Sequence, residues 1–125
     1  MRAFQSLSES EMEIMQVIWR SGTPMTTASL LHLFAHKGWK AQTMSTFLTR
    51  LVEKGVLGAE RRGKTNFYSP VLTETEYHSQ EARQLVDDKY HGSVLDFLAA
   101  FYGGGKLSRE EADSLRSWFD KEAKP

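Results

Sequence analysis

Along residues 41–54 two kinds of side chain alternate with a helical period. Met44, Phe47, Leu48, Leu51 and Val52 fall on one side, the i, i+3, i+4, i+7, i+8 pattern of a buried stripe. Gln42, Thr43, Thr46, Thr49, Arg50 and Glu53 fall on the other. A solvated helix face ordinarily carries Lys–Glu pairs at i, i+4. This one has few, and it holds three threonines, which are poor helix formers at exposed positions. Such a set suits a DNA major groove. Thr can bond base edges or set its methyl group against thymine, Gln can pair with adenine N6/N7, and Arg with guanine O6/N7 or a phosphate. The plain alternative is an unremarkable solvent face.

A second group lies just downstream. Arg61-Arg62-Gly63-Lys64 places three cations around one glycine turn. A tip of that kind can lie against phosphates or enter the minor groove. Charge that merely protects an edge strand accounts for one lysine better than for three cations. Lys40, at the start of the helical segment, can meet phosphate as well. Trp39 fits better as a staple of the helix entry than as a base-stacking ring. His32 and His36 stand at i, i+4 on one expected helix, a spacing that can hold a metal. The His-Glu-x-x-His pattern is absent, however, because residue 33 is Leu. No catalytic signature of a hydrolase occurs, so no enzyme, metal or cofactor is expected.

These groups need elements to hold them. Ser8-x-x-Glu11 is a capping box ahead of Met12, Met15, Ile18 and Trp19, which recur at helical spacing. Ser21-Gly22-Thr23-Pro24 stops that helix, and Pro24-Met25-Thr26 reads as a short extended piece. A second helix is expected from Thr27 to about His36, closed by Lys37-Gly38. The third runs from about Ala41 to Lys54. Two β segments, Val56–Arg61 and Asn66–Val71, flank the turn Arg62-Gly63-Lys64-Thr65, and Pro70 suits a strand end. Three helices followed by a hairpin is the order of a winged helix-turn-helix.

Beyond Leu72 the pattern is wholly helical. Thr73-x-x-Glu76 opens a long helix expected to reach Tyr102 and weakened at His91-Gly92. Gly103-Gly104-Gly105 breaks it, and Ser108-x-x-Glu111 caps a last helix. Two helices alone bury too little to be stable. Yet they carry Tyr77, Leu85, Tyr90, Val94, Leu98, Phe101, Leu115, Trp118 and Phe119, a patch that a two-fold partner would cover. The expected fold is therefore mainly α with a small β-hairpin wing. An N-terminal winged helix-turn-helix occupies residues 1–72 and a C-terminal helical dimerisation domain residues 73–125.

The charge follows the same division. The chain of 125 residues carries 16 Lys+Arg and 16 Asp+Glu. Residues 1–72 hold nine basic and five acidic residues, and residues 73–125 hold seven and eleven. A basic working surface joined to an acidic module fits that asymmetry. The absence of cysteine excludes disulfides, thiolate metal sites and cysteine nucleophiles. No apolar run approaches the roughly 18 residues of a membrane span, and Met1 to Ser10 has no apolar signal core. A soluble cytoplasmic protein without membrane insertion is expected.

The residues also resemble a known family, the penicillinase repressors of bacteria (the BlaI/MecI/CopY group of winged-helix regulators). The likeness rests on Leu7-Ser8-Glu9-Ser10-Glu11-Met12-Glu13-Ile14-Met15 leading to Ile18-Trp19, and on Trp39, Thr43, Thr46, Leu48, Arg50-Leu51-Val52 and Lys54-Gly55. Tyr68-Ser69-Pro70, Leu98-Ala99-Ala100-Phe101 and Lys106-Leu107-Ser108 extend it. It implies a homodimeric repressor of transcription on a pseudo-palindromic double-stranded operator with TACA/TGTA-type half-sites, serving antibiotic-resistance or cell-envelope-stress genes. It further implies inactivation by a regulatory protease in the C-terminal helices. Two departures stand out. Ala41-Gln42 replaces the family's frequent Pro-Lys, and Ala100-Phe101 stands where β-lactam-responsive members have a scissile Asn-Phe. The cysteine motif of the copper-responsive branch is missing. Two further functions fit the same residues: a protein-interaction module using the basic hairpin, and a ligand- or metal-responsive regulator using His32 and His36.

Overall fold

The helix starts marked by hydroxyl residues are built as the sequence indicates. In a computed structural model, which describes residues 4–103 and 105–123, Ser8 accepts from the Glu11 N–H and Glu11 accepts from the Ser8 N–H, opening helix α1 (Glu9–Ser21). Thr26 opens α2 (Thr27–Leu33) with Ser29 as its reciprocal partner. One 3₁₀ turn, Ala35–Lys37, and a left-handed Gly38 lead into α3 (Ala41–Glu53). The second helix therefore ends before His36, because the chain tightens at Phe34. His32 and His36 consequently lie on separate segments, not at i, i+4 on one helix, and His36 stacks on Phe34 instead.

Strands β1 (Leu57–Arg62) and β2 (Thr65–Pro70) pair antiparallel, with Leu57 opposite Pro70 and Arg62 opposite Thr65. The loop is two residues, Gly63-Lys64. Gly63 takes φ +64°, the first position of a II′-type hairpin turn. Met25 adds a single antiparallel bridge to Tyr68, with N–H···O distances of 2.9 and 2.8 Å, so the extended piece forms a minimal third strand.

Helix α4 (Glu74–Lys89) starts at a Thr73–Glu76 capping box. The expected long helix is broken. His91 (φ +54°) and Gly92 (φ +77°) are both left-handed, and Ser93 caps a new helix, α5 (Val94–Tyr102). Two successive left-handed residues cannot continue a right-handed helix. Gly103 ends α5 at φ +54°, and Gly104, part of the expected glycine break, lies outside the described residues. Helix α6 (Arg109–Glu122) begins at the Ser108–Glu111 box.

The described residues divide into two compact units between Gln84 and Leu85, inside α4. In the first, Ile14, Met15 and Ile18 of α1 meet Leu30, Phe34, Met44, Leu48, Leu51, Val56, Leu57 and Tyr68. Tyr77 completes this core. The sequence placed it on a surface for a partner, but it is fully buried here. Its hydroxyl accepts from the Leu7 N–H at 2.9 Å, and its ring packs near Phe4 and Trp19. Trp19 donates its indole N–H to the Leu72 carbonyl at 2.9 Å. The start of α4 is thereby fastened to the winged unit.

In the second unit no described residue is fully buried. Leu85, Val94, Leu95, Phe101, Trp118 and Phe119 are exposed, and Tyr90, Leu98 and Leu115 are half-buried. Tyr90 meets Phe97 edge-on, and Phe97 lies against Phe101.

Candidate nucleic-acid interface

Helix α3 is held from behind and from both ends. Met44, Leu48 and Leu51 are fully buried, with Phe47 and Val52 half-buried beside them. At its entry Trp39 packs between Phe34 and Phe47, at ring distances of 5.3 and 5.0 Å. That is the stapling expected of it. At its exit the Lys54 ammonium meets the buried Glu11 carboxylate at 2.6 Å and the Ser6 carbonyl at 2.9 Å. The outward face is thus presented by a fixed helix.

On that face Gln42, Thr46 and Arg50 surround one shallow depression, open to solvent, together with Ser45, Thr49 and Glu53. Thr43 is half-buried and is not part of the lining. Ser45, also half-buried, was not singled out in the sequence. The Thr46 hydroxyl donates to the Gln42 carbonyl at 3.0 Å. Its proton is committed, so Thr46 offers a groove its methyl group and an acceptor lone pair. Helix α3 also starts differently from the others described. Ser8, Thr26, Thr73, Ser93 and Ser108 cap their helices through side chains, whereas Lys40 does not. The first N–H groups of α3 and the exposed Lys40 ammonium are therefore left together for solvent or an anion.

The hairpin splits its cations between two faces. Side chains two apart on a strand point the same way. Leu57, Ala59 and Arg61 share a face with Asn66 and the buried Tyr68, while Glu60 and Arg62 share the other with Phe67 and Thr65. Arg62 is engaged there. Its Nε donates to Glu60 at 2.6 Å, and its guanidinium lies 4.7 Å from the Phe67 ring centroid. Arg61 and Lys64 are exposed. The sequence showed three cations at a tip but not that Glu60 and Phe67 hold one of them. The i, i+2 spacing of Glu60 and Arg62 on a strand was the available signal.

Among the described residues, no group of three or more His, Asp or Glu side chains could hold a metal, and no helix is long and apolar enough to cross a membrane.

Comparison with known proteins adds an independent line. The model of a family described as penicillinase repressor matches residues 7–121. A penicillinase repressor of Bacillus licheniformis is 28% identical over 115 residues, covering 92% of this chain and 90% of that protein. The methicillin resistance regulatory protein MecI of Staphylococcus aureus (strain N315) is 24% identical over 115 residues, covering 92% and 94%. Among solved structures, the DNA binding domain of the repressor BlaI superposes with a TM-score of 0.54 at 29% identity, covering 62% of this chain and 94% of that one. The monomeric form of Bacillus licheniformis BlaI in complex with the blaP half-operator gives 0.50 at 29% identity, with the same coverage.

Proposed function

The chain belongs to the penicillinase repressor family, and from that premise and the geometry of α3 we propose that it is a homodimeric transcriptional repressor that reads a pseudo-palindromic DNA operator. One observation carries the proposal. Gln42, Thr46 and Arg50 stand together on the outward face of a helix whose other side and both ends are anchored. Base edges are read by Gln42, Thr46 and Arg50, with Thr43 at the margin. Phosphates are held by Lys40, the α3 N-terminus, Arg61, Arg62 and Lys64. The solved half-operator complex of a relative supports a winged unit that meets one half-site.

Dimerisation is assigned to the second unit, through Leu85, Tyr90, Val94, Leu98, Phe101, Leu115, Trp118 and Phe119. The regulated genes belong to antibiotic resistance or envelope stress, and the site of action is the cytoplasm. A regulatory protease acting between Ala100 and Phe101 would detach α6 from the readers. Both residues are exposed, but they lie within α5, so that stretch must unwind before it is cut.

The division of roles is testable by titrating operator and random duplex. Lys64→Ala should weaken both alike and flatten the salt slope by about 0.9 per lost phosphate contact. Thr46→Ala should leave random DNA unchanged and lower operator preference by about 1 kcal/mol, the worth of a methyl contact or a single hydrogen bond. Equal losses on both DNAs for both variants would show that α3 does not read bases.

A further inference from the structure

We propose that Glu60 is a counter-charge built into the wing, which shares the Arg62 guanidinium with the DNA backbone and so weakens the sequence-independent grip of the repressor. This rests on the DNA-binding function proposed above and names a residue that tunes it. Glu60 stands directly opposite Phe67, and Arg62 is two residues further along the same face. The carboxylate takes only the Nε–H of Arg62, at 2.6 Å, and the Phe67 ring supports the guanidinium plane at 4.7 Å. Both partners are more than half exposed.

An arginine so held keeps its Nη donors for a second acceptor. A phosphate placed there meets the Arg62 cation and, a few ångströms behind it, the Glu60 anion. The attraction is thereby partly cancelled. Among the described residues Arg61, on the opposite face, and Lys64, in the turn, form no ion pair with a carboxylate, so the cancellation falls on one of the three wing cations. Because phosphates carry no sequence information, the attenuation applies to every duplex equally. A lighter grip on random DNA leaves the outward face of α3 to decide where the protein stays.

Glu60→Gln tests this cleanly. The amide oxygen can still accept from Nε and Phe67 still supports the ring, so Arg62 keeps its place while the negative charge is gone. The full-length chain is titrated into a random-sequence duplex by fluorescence anisotropy between about 50 and 200 mM salt. The matched control is Asp113→Asn, which removes one charge from another exposed Arg–carboxylate pair, Asp113–Arg116 at 2.9 Å.

Glu60→Gln should bind about fourfold tighter, the Coulomb effect of one charge at about 5 Å in a water-like dielectric. Its salt slope should steepen by up to about 0.9. Asp113→Asn should match the parent chain. Unchanged or weaker binding by Glu60→Gln, or an equal gain by Asp113→Asn, overturns the proposal. If the parent chain shows no salt-dependent binding to any duplex, the DNA-binding function itself fails, and the wing assignment with it.

Discussion

With Phe101 and Trp118 both replaced by glutamate, the chain should sediment as a monomer and bind a two-half-site operator about 10²- to 10⁴-fold more weakly. Binding to an isolated half-site should not change. The two side chains are 68% and 56% exposed, so charge at these positions costs the monomer only peripheral ring contacts, to Phe97 and Tyr102 and to Phe119. What it removes is a partner surface. Exposed large apolar side chains on α5 and α6 are costly to leave in water, and a two-fold copy offers the same surface in return. Two readers on one dimer reach the second half-site at the high effective concentration set by their link, and separated monomers do not. Sedimentation velocity and a titration on full and half operators check both parts. A variant that stays dimeric, or a monomer that binds the full operator as well as before, would place the dimer contact elsewhere.

The second large effect concerns Glu11, the buried carboxylate behind α3. Glu11→Ala should destabilise the chain by about 3 kcal/mol. It removes the capping acceptor of α1 and leaves the Lys54 ammonium, itself about one-fifth exposed, without its counter-ion. Glu11→Gln keeps an acceptor for the Ser8 N–H and should cost roughly half as much. Burial alone would raise the Glu11 carboxyl's affinity for protons. The Lys54 ammonium and the Ser8 N–H and hydroxyl outweigh it and hold the group below its ordinary value of 4.5. A lowered native value means that this stabilisation is fully present above the unfolded carboxylate range. It is lost as pH falls through the native one. Urea denaturation from neutral pH into that acid range should therefore show a component in the parent chain that Glu11→Gln lacks. Identical pH profiles for the two chains would mean that the ion pair contributes nothing.

Much of this was legible because it is local. Capping boxes at Ser8, Thr73 and Ser108 act over three residues, a glycine turn over two, and an apolar stripe over two helical turns. The face of α3 followed from periodicity alone, since Met44, Leu48 and Leu51 could be buried only by turning Gln42, Thr46 and Arg50 outward. What stayed hidden depends on partners distant in sequence. Tyr77 has the look of any amphipathic-helix aromatic, and only the fold shows its hydroxyl meeting Leu7, 70 residues away. Glu11 reads as a helix cap until Lys54 arrives from 43 residues off. The break after α4 was half visible. Gly92 announced it, but a left-handed His91 is set by the local chain path, which composition does not reveal. On the wing, cation clustering was plain, whereas the face that each cation takes followed only from the register of Arg62 with Thr65.

Sequence enrichment from a pool of random duplexes, run in parallel on the parent chain and on Arg50→Ala, tests the base-reading role of α3 most directly. The parent should select an inverted repeat whose half-site centres lie about one helical turn, roughly 10 base pairs, apart. Arg50→Ala should select a repeat degenerate at one position in each half. No enriched repeat from the parent, or the same fully specified repeat from both chains, would contradict a reader built on this helix face.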